Sequence, residues 1–202
     1  MSIDAQTVKE LRTKTGAGIM DCKKALAETK GNLDEAVDFL RKKGLASAAK
    51  KAGRATKEGL IGSYVHSNGK IATMVEVNCE TDFVARTDEF QQLARDLAMH
   101  VAAHDPTPLG VNREEIDSSV AEAERQVFLA QVQEMGKPAQ VAEKIVEGKM
   151  DKWYAERTLL EQSFVKDPDQ KVGDLLKAAV AKVGENIQIS RFVRFQLGEG
   201  GN

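Results

Sequence analysis

The sequence predicts an α+β protein, in which an N-terminal three-helix module precedes a small three-stranded antiparallel sheet with helices, including a helical hairpin. Three observations support this fold class. Residues 1–45 carry apolar side chains at helical spacing, residues 60–79 alternate in polarity on either side of Ser67-Asn68-Gly69, and residues 187–197 alternate again. An Asn-Gly pair between two alternating runs is a strong hairpin signal, so the first two strands are predicted to be neighbours.

The composition narrows the classes of function that fit this chain. It has 202 residues, with 29 Lys and Arg against 31 Asp and Glu and a formal net charge of −2. Nucleic-acid-binding domains usually carry a basic excess, so we expect no direct nucleic-acid partner. Cys22 and Cys79 do not form a disulfide framework, which favours a reducing cytoplasm. The sequence shows no signal peptide and no long apolar stretch, so we expect no membrane contact.

The first 45 residues are predicted to form three short helices joined by glycine-containing turns. The apolar faces are Ala5, Val8 and Leu11 in the first helix, Ile19, Cys22, Ala25 and Leu26 in the second, and Leu33, Ala36, Val37 and Leu40 in the third. Asn32 with Glu35 resembles a capping box, and Gly44 is predicted to end the third helix. A basic linker helix is expected at 46–58, before an α+β core and dimerisation domain at 59–198 and a tail at 199–202.

The second strand of the hairpin leads into a segment with a possible binding role. Thr73, Val75, Val77 and Cys79 share one face of this strand. The alternation stops at Glu80, and Thr87 is a suitable N-cap for the next helix. Phe83 therefore lies in a short strand-to-helix connection. A large apolar side chain there either packs beneath the connection or is held out for a partner, and the pattern favours neither interpretation.

The remaining elements complete the predicted core domain. Helices are expected after Thr87, at 113–136, from Pro138 onward and at 172–183, and residues 163–170 are expected to be extended or a loop. The short link between the second and third of these helices predicts an antiparallel pair. The helices cover one face of the sheet, and Tyr64, Met74 and Phe192 are candidates for the other face. A second sheet from an identical chain would cover that face.

The sequence contains no recognisable pattern of catalytic, metal-binding or phosphate-binding residues. His100 and His104 are four residues apart on a predicted helix, but the residues between them include no Glu and no third ligand is evident. We therefore interpret both histidines as solvent-facing and expect no metal site. Cys22 and Cys79 are interpreted as buried structural thiols. No phosphate-binding glycine motif is present, so the residues predict no cofactor.

Two long motifs resemble those of the elongation factor Ts family. The first is Leu11-Arg12-Thr13-Lys14-Thr15-Gly16-Ala17-Gly18-Ile19-Met20-Asp21-Cys22-Lys23-Lys24-Ala25-Leu26, and the second is Glu76-Val77-Asn78-Cys79-Glu80-Thr81-Asp82-Phe83-Val84-Ala85-Arg86. The resemblance continues through 144–149 and 160–164 to the end of the chain. It implies a guanine-nucleotide exchange factor without covalent chemistry. Such a factor binds elongation factor Tu with GDP and displaces the magnesium ion, so that GDP leaves and GTP reloads.

The resemblance also implies site residues and an assembly. The three-helix module is similar to a ubiquitin-associated domain, and short family members pair two chains through their sheets, so a homodimer is expected. The segment expected to enter the partner near its magnesium ion is Thr81, Asp82, Phe83 and Val84. The residues expected to dock on the partner's nucleotide domain are Leu11, Arg12, Ile19 and Met20. At Ile19, where the family often has Met, a helix-packing role is the alternative.

Two functions from other classes compete with this interpretation. The chain could be a ubiquitin-associated-like adaptor that binds proteins through residues 1–45 without exchange activity. It could also be an enzyme that uses Cys79. Deletion of residues 1–45 discriminates the first alternative, because an adaptor then loses all binding.

Overall fold

A computed structural model describes residues 4–136 and 138–199, and it confirms the α+β class. The helices are α1 (Ala5–Thr15), α2 (Ile19–Glu28), α3 (Leu33–Lys51), α4 (Asp82–Ala85), α5 (Asp88–Ala103), α6 (Ser118–Glu134), α7 (Ala139–Arg157) and α8 (Val172–Val183). The strands are β1 (Glu58–Val65), β2 (Ile71–Cys79), β3 (Ser163–Phe164), β4 (Asp167–Lys171) and β5 (Ile187–Gln196). Short 3₁₀ turns occupy Arg113–Glu115 and Leu159–Glu161.

The chain contacts group into two compact units. The first contains residues 1–59, 78–87 and 174–188, and the second contains residues 60–77, 88–173 and 189–202. The N-terminal helices therefore share a unit with the β2–α5 connection and with most of α8. The expected domain ranges 1–45, 46–58 and 59–198 differ from this grouping and remain a prediction.

The three N-terminal helices bury one apolar cluster between them. Its members are Val8, Leu11, Cys22, Ala25, Leu26 and Ala36. Asn32 caps α3, because its side-chain oxygen accepts hydrogen bonds from the backbone N–H groups of Asp34 and Glu35 at 3.1 and 3.2 Å. The predicted end of this helix at Gly44 is wrong, since α3 continues to Lys51. One glycine costs a helix only about 1 kcal/mol, which the packing of a long helix offsets.

The main sheet has the order β1-β2-β5, with the hairpin strands adjacent as predicted. Helix α5 covers one face. Thr73 of β2 donates its hydroxyl hydrogen to the carbonyl of Ala98 at 2.6 Å, and Gly62 of β1 lies directly against the backbone of Ala94. The predicted inner face of β2 is confirmed, because Thr73, Val75, Val77 and Cys79 are all buried.

The opposite face of the sheet is exposed and rich in apolar side chains. Its exposed apolar residues are Ile61, Val65, Met74, Val193, Phe195 and Leu197. Glu76 and Arg191 form a cross-strand ion pair of 2.8 Å, which places both residues on this face beside Met74. Met74 lies there as expected, but the prediction for Tyr64 was wrong, because Tyr64 shares its strand face with Gly62 on the α5 side.

Strand β5 departs from simple alternation. Ile187 and Ile189 are buried, whereas Arg191, Val193 and Phe195 are exposed and Phe192 is half-buried. The buried side thus switches from odd-numbered to even-numbered residues near Ser190. The expectation that Phe192 lies on the uncovered face was therefore wrong, and Phe192 shares its side with the helix-covered positions.

The helical hairpin is confirmed as α6 and α7. Its core contains Ile116, Ala121, Val132, Val146, Met150 and Trp153. Helix α6 begins later than expected, at Ser118, because Asp117 accepts a hydrogen bond from the Ser119 N–H at 2.8 Å and caps it there. Residues 163–170 were expected to be extended or a loop, and the extended alternative is confirmed, because this segment forms the antiparallel pair β3–β4. The expected tail lies outside the described residues from 200 onward.

Within residues 4–136 and 138–199, no helix combines the length and the apolar character needed to cross a lipid bilayer.

Candidate partner-binding site

The β2–α5 connection holds Phe83 out from the protein surface. Thr81 is extended, with φ −130° and ψ 154°, and the chain then forms α4, a single helical turn rather than the irregular loop expected. Ala85 is buried beneath this turn, whereas the Phe83 side chain is 79% exposed. Of the two interpretations that the sequence left open, the structure favours the one in which Phe83 is available to a partner. We call Thr81, Asp82, Phe83 and Val84 the Phe83 turn.

Glu185 anchors the first residue of the Phe83 turn. Its carboxylate accepts a hydrogen bond from the Thr81 N–H at 3.0 Å and another from the Thr81 hydroxyl at 2.7 Å. Thr81 occupies the N-cap position of α4 but makes no side-chain capping bond to it. The hydroxyl that would normally cap the helix is thus used to fix the turn to the segment after α8.

A second carboxylate strengthens the same attachment. The Glu80 carboxylate accepts a hydrogen bond from the Asn186 N–H at 2.7 Å. It also forms an ion pair with the Arg54 guanidinium at 3.3 Å. The hydrogen bond from the Asn186 N–H is the main cause that lowers the pKa of Glu80; desolvation opposes it, and the Arg54 charge adds a smaller lowering effect. The Asn186 side chain donates to the carbonyls of Ala52 and Arg54 at 3.3 and 2.8 Å, which ties the turn to the end of α3.

Cys79 is a structural thiol and not an exposed nucleophile. The residue is buried, and its Sγ–H donates to the Thr81 carbonyl at 3.1 Å. Burial first, and then the negative charge of Glu185, raise the pKa of the Cys79 thiol. A raised pKa reduces the fraction of reactive thiolate, so the site argues against an enzyme that uses Cys79.

The remaining residues of the Phe83 turn are partly exposed. Asp82 forms an ion pair of 2.8 Å with Arg86, one helical turn later, and Arg86 is largely exposed. Exposed pairs of this kind contribute little to stability, so Asp82 can exchange Arg86 for a partner group at small cost. Val84 is half-buried, and its carbonyl accepts a hydrogen bond from the Thr87 hydroxyl at 2.8 Å.

A second apolar feature lies at the start of α2. Met20 is 75% exposed and Ile19 is 49% exposed, which argues against a purely helix-packing role for Ile19. Gly16 adopts a left-handed conformation with φ 66°, which lets the chain reverse between α1 and α2 and places Ile19 and Met20 at the helix end. We call these two residues the α2 tip.

The other two expected docking residues lie in different environments. Arg12 is exposed on α1, where it can contact a partner. Leu11 is 0% exposed and belongs to the core of the three helices. Its side chain presents no surface in this structure, so a direct contact through Leu11 is not supported, and its position indicates a role in holding the helices together.

The expected exposure of His100 was wrong. The residue is buried on α5, and its ring lies 5.0 Å from the ring of His104 between centroids. Its two ring nitrogens bond to Gln162 and to the Val165 N–H, so both are already occupied by the fold.

All eight sequence-predicted site residues lie in the first compact unit. Sequence reasoning did not identify Glu185 and Asn186, which anchor the Phe83 turn. A weak signal was present in the sequence, since a glycine, Gly184, follows the apolar pattern of α8 and a Glu-Asn pair comes before β5.

The fold and the site define an α+β protein that presents two exposed apolar features, the Phe83 turn and the α2 tip, on one compact unit. Comparison with known proteins identifies the family to which this protein belongs. The family model for elongation factor TS matches residues 2–199. The chain is 58% identical over 199 residues to elongation factor Ts of Fervidobacterium nodosum, covering 98% of this chain and 100% of that relative.

Two further relatives give the same result. The chain is 58% identical to elongation factor Ts of Geotalea daltonii and 56% identical to that of Geobacter sulfurreducens, in each case over 99% of this chain and 92% of the relative. The chain therefore belongs to the elongation factor Ts family, and its function is that of a translation elongation factor. The adaptor alternative is not favoured.

Proposed function

We propose that this chain is a guanine-nucleotide exchange factor that binds elongation factor Tu carrying GDP and promotes release of the nucleotide by displacing the magnesium ion. GTP can then reload. The observation that carries the proposal is the Phe83 side chain, 79% exposed on a turn that Glu185 and Asn186 hold in place. An exposed aromatic ring on a turn whose backbone is held in place is suited to insertion into a pocket of another protein.

Exchange of this kind requires no bond-making. The factor must bind the partner more tightly without nucleotide than with it. This coupling is reciprocal, so bound nucleotide weakens binding of the factor to the partner as much as the bound factor weakens binding of the nucleotide. A ten-thousand-fold acceleration of release corresponds to a barrier lower by about 5.5 kcal/mol. Truncation of an aromatic residue buried at an interface costs about 2 kcal/mol or more, so Phe83 can supply part of that effect.

The residues of the Phe83 turn have separate proposed roles. Phe83 acts as a wedge between the partner elements that hold the magnesium site. Asp82 places a negative charge next to the wedge, where it disturbs the ion's ligands once its pair with Arg86 opens. Thr81 keeps the turn attached to the protein, and the half-buried Val84 adds apolar surface next to Phe83 in the chain.

The α2 tip and Arg12 are proposed to dock on the partner's nucleotide domain. Ile19 and Met20 provide an apolar contact, and the exposed Arg12 guanidinium provides a charged one. Docking through these residues would position the Phe83 turn at the nucleotide site, because both features belong to one compact unit. Leu11 contributes indirectly by holding α1 against α2.

The test is release of a fluorescent GDP analogue from elongation factor Tu. We expect the unmodified chain to accelerate release and Phe83→Ala to reduce that acceleration at least tenfold, as the loss of a buried aromatic contact predicts. Met135→Ala is a matched control, because Met135 is also an exposed apolar residue but lies at the end of α6. If a folded Phe83→Ala variant accelerated GDP release as much as the unmodified chain, the proposed wedge role of Phe83 would be overturned.

We also propose a homodimer in which the exposed faces of two main sheets pack together. The support is the set of exposed apolar residues on that face, Ile61, Val65, Met74, Val193, Phe195 and Leu197. A two-fold interface is self-complementary, so one apolar face suffices for both partners. Light scattering should give twice the chain mass for the unmodified protein and a single chain mass for Phe195→Glu. A parent protein that stays monomeric at high concentration would contradict the dimer.

The proposed place of action is the cytoplasm, without a nucleic-acid or membrane partner. The near balance of charge and the two free, buried cysteines support this assignment. An exchange rate that added RNA leaves unchanged, and recovery of the protein in the fraction that contains cytoplasmic translation factors, are the expected results.

A further inference from the structure

We infer that Glu185 is a positioning residue for nucleotide exchange, which sets the orientation of Phe83 without itself contacting the partner. The inference rests on the proposed function, because it names a residue that acts through the Phe83 turn. Its starting point is the pair of hydrogen bonds from Thr81 to the two carboxylate oxygens of Glu185, at 3.0 and 2.7 Å. Two bonds to one residue fix both the position and the rotation of the peptide at Thr81.

The Phe83 turn needs such an external anchor. Helix α4 contains only four residues, and a helix of one turn is not stable on its own in water. The side chain of Thr81 could cap α4 but bonds to Glu185 instead. The hydrogen-bonding capacity of the N-cap is therefore directed away from the local helix and toward the segment after α8, where it determines the direction in which α4 projects.

The anchor is itself attached to the N-terminal helices through α8. A Cβ on Gly16 would lie 3.0 Å from Cε of Lys182, and a Cβ on Gly44 would lie 3.2 Å from Cβ of Ala181. Arg41 of α3 also pairs with Asp174 of α8 at 3.6 Å. Helix α8 thus packs against the α1–α2 turn that precedes the α2 tip.

Gly184 connects this packing to the anchor. It ends α8 with φ 82°, a left-handed conformation that allows the chain to reverse immediately after the helix. Glu185 and Asn186 then meet Thr81 and Glu80 in the opposite order along the chain. The α2 tip and the Phe83 turn are therefore held through one helix and the two residues that follow it.

The geometry gives Glu185 a distinct kinetic signature. A residue that contributes only to docking changes the concentration of factor needed for half-maximal release. A residue that orients Phe83 changes the maximum rate of release at saturating factor, while docking by the α2 tip keeps the half-saturating concentration nearly constant. Because both bonds from Thr81 go to a charged acceptor, we expect Glu185→Gln to lower the maximum rate about tenfold.

The experiment measures release of fluorescent GDP from elongation factor Tu as a function of factor concentration, with the full chain and with Glu185→Gln. Hydrogen exchange at the Thr81 amide provides a second readout, which should accelerate in the variant while the thermal midpoint stays close to that of the parent. Glu122→Gln is the control, since Glu122 is an exposed acid on α6 whose side chain accepts a hydrogen bond from Gln126, one helical turn later. It should leave the maximum rate unchanged.

A double-mutant cycle tests whether Glu185 acts through Thr81. Thr81→Val removes only the hydroxyl that bonds to Glu185, and it remains informative where Glu185→Gln fails to fold. We expect the double variant to be no slower than the slower single variant. Strictly additive losses, an unchanged maximum rate in Glu185→Gln, or a change only in the half-saturating concentration would each overturn the inference. Absence of stimulation by the unmodified chain would instead overturn the proposed function.

Discussion

His100 of α5 and Gln162 lie buried side by side, and Nε2 of the imidazole is 3.0 Å from Oε1 of the amide. The surrounding bonds fix the proton on this ring. The Val165 N–H donates to Nδ1 at 3.2 Å, so Nδ1 must be the unprotonated nitrogen and Nε2 carries the hydrogen. The Gln162 amide nitrogen donates to the carbonyls of Glu156 and Pro106 at 2.7 and 3.2 Å, which leaves Oε1 as the acceptor for His100.

The buried neutral His100 predicts a loss of stability in mild acid. Burial lowers the pKa of His100 to about 4, with the His104 ring a smaller contribution in the same direction and the Gln162 bond opposing it. The unfolded chain, with an ordinary histidine pKa of about 6.5, binds more protons between these values. The stabilisation that comes from keeping His100 neutral is therefore fully present above about pH 6.5. It is lost as the pH drops toward 4, which lowers the free energy of unfolding by up to about 3 kcal/mol.

Urea unfolding between pH 4 and 7 measures this contribution. His100→Gln should reduce the free energy of unfolding at pH 7. It should also make that free energy depend less on pH below 6.5, because the variant lacks the titrating ring. His104→Gln, at the residue that follows the end of α5, is the matched control and should retain most of this pH dependence. Equal slopes in the parent and in His100→Gln would show that other groups account for the acid sensitivity.

Gly62 predicts a steric limit at the contact between β1 and α5. A Cβ on Gly62 would lie 2.2 Å from the carbonyl oxygen of Ala94, and backbone cannot move aside as a flexible side chain does. We expect Gly62→Ala to lower the free energy of unfolding by about 1–3 kcal/mol or more. Gly148→Ala in α7 is the control, since nothing lies within 4 Å of its Cβ position, and it should stabilise by about 0.5–1 kcal/mol. Unfolding curves in which both variants shift the same way would contradict the steric argument.

Local patterns in the sequence were sufficient to predict several elements. The alternation of β2 and the Asn-Gly turn specify the hairpin and its buried face, because both signals depend on residues close together in sequence. The exposure of Met20 beside a glycine turn was also predictable. Gly44 gave a false helix end, since packing against Ala181 stabilises a glycine within a longer helix.

Long-range contacts explain what the sequence did not predict. Glu185 and Thr81 are 104 residues apart, and a single carboxylate in a turn carries no periodic signal for such a pairing. The burial of His100 had a signal that its polar type obscured. It follows Leu93 by seven positions and Leu97 by three, so it belongs to the apolar stripe of α5. The amide of Gln162 makes that burial possible by satisfying the ring.

The base of the α6–α7 hairpin requires the planar guanidinium group of Arg113. Its Nε and one terminal nitrogen bind the two oxygens of Glu161 at 2.5 and 2.8 Å, and the other terminal nitrogen binds Asp151 at 3.0 Å. The Arg113 hydrogen bonds lower the pKa of Glu161 despite its partial desolvation. Lysine cannot reproduce this fork, so Arg113→Lys should lower the free energy of unfolding by about 1 kcal/mol.

Lys177→Arg is the control for this prediction. The exposed Lys177 pairs with the half-buried Asp174 at 3.2 Å on α8, and a single contact from an exposed lysine contributes little. Its unfolding free energy should stay within about 0.5 kcal/mol of the parent value. An Arg113→Lys variant as stable as the parent in urea would show that charge alone is sufficient at the hairpin base.

Truncation of Leu11 and truncation of Met20 should have different effects, although both residues lie in the three N-terminal helices. The first should reduce stability, and the second should weaken docking on the partner. Leu11 is 0% exposed and packed in the helical core, so Leu11→Ala should lower the free energy of unfolding by about 2–5 kcal/mol. Met20 is 75% exposed, so Met20→Ala should change stability by less than about 0.5 kcal/mol. At the proposed docking surface, however, it should raise the factor concentration for half-maximal GDP release about tenfold. Urea unfolding and a release titration on both variants separate these effects. A Met20→Ala variant with parental half-saturation would remove the α2 tip from the docking surface, because its stability would already show that the fold is intact.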